Sequence, residues 1–401
     1  MKYITLILDG ASDLPLDELG GRTPLEAAYT PHLDRLAREG RVGMAATVPE
    51  GLEPSSSAAC TALLGFDPAA NYVGRAAIEG AALGIELAPD EVALRINTVT
   101  LEDGIMRSFS AGSIPSHHAL PIVERLAAKL NDDIFTLYPG VAYRHILVVK
   151  GHPELMDTCF TPAHDISDKA VAPYLPDGPG AALIAGYTAR ARDLLTTDEQ
   201  LVAANAALQD EGRLPVTDLW AVWPSTTPAH LPTLADTYHK TGALTSGVGL
   251  LHGLAQLFGY TKLDITGVTD SQDNDYAAQA HGALRALNEH DLVVIHVESP
   301  DEAGHDGDLA GKIEALEAID ALIVPALLDY AATHGFTRIL ATPDHPTPVA
   351  LKTHIHAPVP FVLWGSGIEP DEAAAYSEVA AMATGWCIDP GYRVVEELFH
   401  G

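Results

Sequence analysis

Cysteine is scarce: Cys60, Cys159 and Cys387 are all that 401 residues contain. An odd number with no Cys-x-x-Cys spacing excludes a disulfide framework and a thiolate metal cluster, and points to the cytosol. Basic residues are scarce too. With 23 Lys plus Arg against 54 Asp plus Glu, the formal net charge is −31, and no basic run is dense enough to track phosphates. Nucleic acid and an anionic membrane surface are therefore not expected partners. No apolar run reaches the ~18 residues of a membrane helix, and residues 1–10 read as a strand rather than a cleavable signal. Internal repeats and low-complexity segments are also missing. What the chain has in quantity is apolar side chains, 47% of the total, enough for large cores in two to three domains.

Three apolar runs end in metal-type ligands. Arg338-Ile339-Leu340-Ala341 leads into Thr342-Pro343-Asp344-His345, with His354 nine residues after His345. Leu292-Val293-Val294-Ile295-His296-Val297 runs into Glu298-Ser299-Pro300-Asp301-Glu302-Ala303-Gly304-His305. Tyr3 to Leu8 ends at Asp9-Gly10. A carboxylate or imidazole where a buried strand ends sits on the usual rim of an α/β active site. Mixed oxygen and nitrogen ligands suit Mn²⁺ or Zn²⁺ better than Ca²⁺. Ordinary turn carboxylates and capping histidines are the rival reading, but three independent strand ends carry the same pattern. The remaining histidines, including His117, His118, His252 and His296, read as packing, capping or hydrogen-bonding residues.

Glu53-Pro54-Ser55-Ser56-Ser57-Ala58 reads as a serine-rich turn opening a helix. A serine there beside dications has a lowered hydroxyl pKa and becomes a nucleophile. By position alone any of Ser55, Ser56 and Ser57 can fill that role or simply cap the helix. Cys60 reads as a small buried residue.

Strand and helix alternate over residues 1–88, with a helix expected over 23–39 and a strand near 43–48. From about Glu91 short alternating strands take over, at 92–100, 104–110 and 143–150, with one amphipathic helix at 121–130 and a Pro, Gly and Asp-rich loop at 172–180. Helices then follow at 181–194 and 198–210, with a short apolar strand at 219–223. Further on come a strand and helix over 242–258, a helix at 276–288 and a long helix at 312–330. This predicts an α/β fold: one doubly wound sheet completed by sequence-distant halves, 1–88 and 185–401, with an inserted α+β cap domain at 89–184.

At these residues the chain resembles the alkaline phosphatase superfamily, and within it the archaeal-type 2,3-bisphosphoglycerate-independent phosphoglycerate mutases. The motifs that carry the resemblance span most of the chain. They are Leu8-Asp9-Gly10, Leu63-Leu64-Gly65-Phe66-Asp67-Pro68, Gly74-Arg75, Tyr143-Arg144-His145, Pro162-Ala163-His164-Asp165, Gly267-Val268-Thr269-Asp270, Pro300 to Asp308, and Pro343-Asp344-His345 through Phe361. The resemblance implies an alkaline-phosphatase-like core and a nucleophile at Ser56. It also implies two divalent ions, Mn²⁺ first, with Zn²⁺, Mg²⁺ or Co²⁺ as alternatives. Asp9, Ser56, Asp344 and His345 would hold one ion; Asp301, His305 and His354 the other.

The implied activity is interconversion of 3-phosphoglycerate and 2-phosphoglycerate through a phosphoserine. A phosphorylated, carboxylated substrate needs fixed guanidinium forks, so Arg75 and Arg144, with His164 and Asp165, are the expected substrate contacts rather than ordinary surface ion pairs. Where relatives carry Gly, an acidic residue and His around the nucleophile, this chain has Ser55, Ser57 and Cys60. That departure keeps a second reading open, a metal-dependent phosphohydrolase or phosphotransferase on another small phosphate or phosphonate ester.

Overall fold

The computed structural model describes residues 1–228 and 230–400. Among them, eight strands form one sheet, in the order Cys387–Ile388, Arg41–Ala45, Val359–Gly365, Thr337–Thr342, Lys2–Leu8, Leu292–Val297, Gly242–Thr245 and Tyr260–Lys262. From Thr337–Thr342 to Tyr260–Lys262 the neighbours are parallel; Val359–Gly365 runs against both of its neighbours. Leu292–Val297 and Thr337–Thr342 are buried at every position, because side chains on both faces of a parallel sheet are covered. One face rests on a core in which Ile4, Leu6, Leu8, Val293 and Ile295 meet Leu33, Leu36, Ala280, Ala283, Leu316 and Ile319 from three helices. The fold is the expected mixed α/β class.

The chain divides into two compact units, residues 1–72 with 230–401, and residues 73–229. This corrects the expected boundaries, which put 73–88 and 185–229 with the large sheet. Strand Asp218–Ser225 instead pairs with Glu91–Glu102, whose other side holds Arg144–Lys150. Ile184, Tyr187, Ala191, Leu195, Leu201 and Leu208 pack into the same core as Ile122, Leu126, Leu137 and Leu147. Helical periodicity shows that such helices are amphipathic, but it does not show which sheet their apolar stripes cover.

Local chemistry explains the remaining element boundaries. The expected helix at 312–330 is two helices, Leu309–Leu322 and Val324–His334. Pro325 lacks the N–H that would bond back across the break and suits the first turn of a new helix. The expected helix at 23–39 is likewise Pro24–Ala27 and Pro31–Glu39, each opened by a proline, the first with a Thr23/Glu26 capping box. No described helix is long and apolar enough to cross a membrane.

Candidate active site

In the first unit, parallel strands bring Asp9, Asp344 and the helix carrying Asp301 to one sheet edge, since each follows the carboxyl end of a strand. Gly10 has a φ of 60° and a Cβ there would collide with Asp301, so glycine is required for the chain to leave the strand beside that carboxylate. Asp344 Oδ1 accepts the N–H groups of Gly10 at 3.1 Å and His345 at 2.8 Å, which fixes the carboxylate through the backbone.

Helix Ser299–Asp306 sets Asp301 and His305 four residues apart on one face, with His305 Nε2 3.2 Å from Asp301 Oδ2. The loop after strand Thr337–Thr342 returns His354, whose Nε2 lies 2.9 Å from His305 Nε2 and 3.5 Å from Asp301 Oδ1. His345 Nε2 is 3.1 Å from Asp344 Oδ2 and 3.6 Å from Asp9 Oδ1. Ser56 begins helix Ser56–Leu63, and its Oγ is 3.2 Å from His345 Nε2. The hydroxyls of Ser55 and Ser57 face each other at 3.0 Å. Of the three serines, Ser56 is the one turned to this cluster.

All seven side chains expected in the first unit therefore converge. Asp301, His305 and His354 form one group able to hold a metal ion, and Asp9, Asp301 and His345 another, with the ligand atoms of each group within 4.8 Å. Asp301 belongs to both. Two imidazole Nε2 atoms facing each other across 2.9 Å, both beside one carboxylate, form an arrangement that a cation completes better than protons do. The buried Asp9 Oδ1 has no hydrogen-bond partner.

Electrostatics agrees with the geometry. Burial, reinforced by Asp344 and Asp301, raises the Asp9 pKa well above the usual carboxylate range. Burial also pushes Asp301 up, but hydrogen bonds from His305 and His354 outweigh it and hold this carboxyl far down. The same Asp301 contact lifts His305 to about 9, whereas burial lowers His345. Carboxylates this close and this buried favour a positive charge among them.

Four neighbours escaped the sequence reading. His296, read as a packing, capping or hydrogen-bonding residue with no partner named, bonds Asp9 Oδ2 through Nε2 at 2.7 Å. Glu298 Oε2 lies 3.8 Å from the same nitrogen, and its carboxyl is raised by burial and then by Asp9. Thr347 Oγ1 donates to Asp301 and lies 3.2 Å from His345 Nδ1. Cys60 is fully buried as expected, but its Sγ also lies 3.6 Å from Asp344 Oδ2. Position two residues before Pro300 was a visible signal for Glu298. For His296, inside an apolar strand, nothing in the sequence pointed to Asp9.

In the second unit, the expected substrate residues gather around aromatic rings, with Arg95, which the sequence reading missed, at the centre. Arg95 is 4% exposed; its guanidinium bonds Glu79 Oε1 at 3.1 Å and Asn97 Oδ1 at 3.2 Å, and lies 5.1 Å from the Trp223 ring centre. Arg75 shares Glu79 Oε1 at 3.0 Å and stacks 4.6 Å from the same ring. Arg144 lies 5.6 Å from Tyr143, which Arg95 also faces at 5.8 Å.

The His164 and Trp223 ring centres are 6.2 Å apart. Asp165 pairs with His164 at 3.4 Å, both half-exposed. Trp223 has a φ of 53°, uncommon for so bulky a residue, next to a register shift in the pairing of strands Glu91–Glu102 and Asp218–Ser225. Such bulges re-aim side chains at functional surfaces. Two guanidinium groups, Arg75 and Arg95, thus share one carboxylate, and Arg144 stands beside Tyr143. Burial lowers the Arg95 pKa and Glu79 opposes that, with Arg75 and Arg144 adding repulsion.

The chain is similar to several known proteins over most of its length. The sequence profile described as 2,3-bisphosphoglycerate-independent phosphoglycerate mutase matches residues 37–200. A Geobacter sulfurreducens protein named as a probable enzyme of that kind is 40% identical over 99% of this chain and 99% of its own. A Methanosarcina barkeri protein with the same name is 40% identical over 95% of each chain. Among solved structures, a protein from Pyrococcus horikoshii aligns with a TM-score of 0.82 at 25% identity, covering 99% of this chain and 96% of its own. The cofactor-independent phosphoglycerate mutase of Thermoplasma acidophilum aligns with a TM-score of 0.69 at 25% identity, covering 100% and 99%. The chain belongs to the 2,3-bisphosphoglycerate-independent phosphoglycerate mutase family.

Proposed function

We propose that this chain interconverts 3-phosphoglycerate and 2-phosphoglycerate without bisphosphoglycerate, carrying the phosphoryl group on Ser56 and using two divalent ions, Mn²⁺ first among them. The observation that carries this is the convergence of Asp9, Ser56, Asp301, His305, Asp344, His345 and His354 at one sheet edge. The donor set fits such ions: carboxylates and imidazoles in mixture, with Asp9 Oδ1 buried and unpartnered. Asp9, Asp344, His345 and Ser56 would hold one ion, and Asp301, His305 and His354 the other. Bound there, the ions supply positive charge that neutralises the oxygens of the transferring phosphoryl group and lowers the serine pKa.

The chain's own residues do the rest. Ser56 Oγ lies 3.2 Å from His345 Nε2, which sets the serine oxygen beside the other proposed ligands, and the helix begun by Ser56 sets its positive end at that oxygen. Arg75, Arg144 and His164, with Asp165 orienting the imidazole, bind the anionic groups of the substrate, because the shared Glu79 leaves their cluster net positive. The glycerate released by transfer to Ser56 takes the phosphoryl group back on its other hydroxyl. A cytoplasmic setting and a substrate confined to small phosphorylated acids complete the reading.

The test is a coupled assay with Mn²⁺ and 3-phosphoglycerate that follows 2-phosphoglycerate and free phosphate together. Formation of 2-phosphoglycerate without phosphate, lost in Ser56→Ala, is the expected result. Phosphate release alone would make the chain a hydrolase.

A further inference from the structure

Strand register places His296 opposite Ile7, and Asp9 lies two residues beyond Ile7 on the same face. The ring is fully buried. Its Nε2 meets Asp9 Oδ2 at 2.7 Å, and its Nδ1 meets Ser246 Oγ at 3.0 Å, which itself accepts the Val248 N–H at 2.9 Å. The backbone beneath is tied as firmly: Gln279 Nε2 donates to the His296 carbonyl at 2.9 Å, and Asn274 Nδ2 donates to Gln279 Oε1 at 2.8 Å.

We propose that His296 is a positioning residue, the last member of a Val248–Ser246–His296 chain that fixes the Asp9 carboxylate for a divalent ion. This rests on the reading of Asp9 as a ligand. An ionised carboxylate only accepts, so Nε2 carries the hydrogen of that bond. Nδ1 then accepts from the Ser246 hydroxyl, whose oxygen accepts from the Val248 N–H. Every donor runs toward Asp9. Oδ2 is thereby held while Oδ1, with no hydrogen-bond partner and 3.6 Å from His345 Nε2, stays free for the ion.

Asp9, His296 and Glu298 also bring ligand atoms within 4.8 Å of one another, so distance alone admits a third ion. The tautomer argues against it, because a nitrogen that carries the hydrogen given to Asp9 has no lone pair left for a metal.

The experiment is equilibrium dialysis of the full chain against Mn²⁺, with activity read at saturating Mn²⁺. His296→Leu is expected to weaken Mn²⁺ binding about 10- to 100-fold at unchanged stoichiometry, with kcat regained at high Mn²⁺. His296→Gln, which can donate and accept across a similar span, should recover part of the affinity. Ser246→Ala, which leaves the ring in place, should show a smaller loss in the same direction and serves if His296→Leu does not fold. Wild-type affinity in both His296→Leu and Ser246→Ala, while Asp9→Asn loses Mn²⁺, would overturn the positioning role and leave Asp9 a ligand. Wild-type affinity in Asp9→Asn would overturn both. A third Mn²⁺ per chain, lost in Glu298→Gln, would make His296 a ligand and also sink the proposal.

Discussion

In the first unit the functional side chains hang from the carboxyl ends of parallel strands, whereas in the second they project from the middle of an antiparallel sheet and from helix Arg75–Ala82. The first cluster is a set of buried carboxylates and imidazoles whose charge is negative. The second is three guanidinium groups, two of them on Glu79 and the third beside Tyr143. A chain with a net charge of −31 thus gathers a few cations into one cluster and several of its deeply buried carboxylates into the other. Net charge described the surface and said nothing of either site.

Breaking the first cluster should have the largest effect. Ser56→Ala removes the proposed nucleophile and is expected to lower kcat on the order of 10⁴-fold, measured by single-turnover kinetics with saturating Mn²⁺; substantial residual mutase activity would show that the phosphoryl group is carried elsewhere.

The next test concerns what supports the cluster. Lys312, fully buried, donates to Asp13 Oδ2 at 2.8 Å and to the Thr347 carbonyl at 2.8 Å, beneath the loop that carries His345 and His354. Lys312→Met strands the Asp13 carboxylate and should cost about 3–5 kcal/mol in urea unfolding, with part of it regained in a Lys312→Met, Asp13→Leu double variant. A loss no smaller in the double variant would mean that the pair matters through more than its buried charge.

Arg95→Met sharpens the contrast from the other side. It takes one of three cations from the second cluster and leaves Glu79 to Arg75, so KM for 3-phosphoglycerate should rise about tenfold or more, with kcat changed less. Equal losses in kcat and kcat/KM would move Arg95 to a transition-state role.

The smallest effect is on pH dependence. His145 is buried beside Arg95, and burial first, then that charge, push its pKa down to about 3. Its Nδ1 accepts the Gly140 N–H at 3.0 Å. The folded pKa is depressed below the unfolded value near 6.5, so the unfolded chain binds the proton first. The folded state is undiminished above pH 6.5 and loses about 1.4 kcal/mol per unit as pH falls from there toward 3. Thermal unfolding of His145→Asn should flatten that slope between pH 6.5 and 5 relative to wild type; an unchanged slope would assign it to other groups.

Legibility followed the two architectures. Asp9, Asp344 and Asp301 could be read because each stands just after an apolar run, and strand ends in an α/β sheet converge by topology alone. Arg95 sits inside the run Val92 to Val99, where alternation marks a strand but not a partner, and its contacts come from Glu79 and Trp223, 16 residues before it in one case. His296 was hidden in the same way. The domain boundary failed for a related reason: strand Asp218–Ser225 has the pattern of either sheet, and only pairing with Glu91–Glu102 decides between them.

The sequence by itself determined the α/β class, the positions of the three strands that lead into Asp9, Asp301 and Asp344, and the identity of the Asp and His residues that gather in the first unit, because periodicity and strand ends are local properties. Tertiary structure decided which sheet owns residues 185–228, that Ser56 rather than Ser55 or Ser57 turns to His345, and that Arg95 and His296 stand behind the residues the motifs had named. Those are contacts between segments far apart along the chain or choices among equivalent neighbours, and hydrogen bonds and burial settle them only once the sheets have formed.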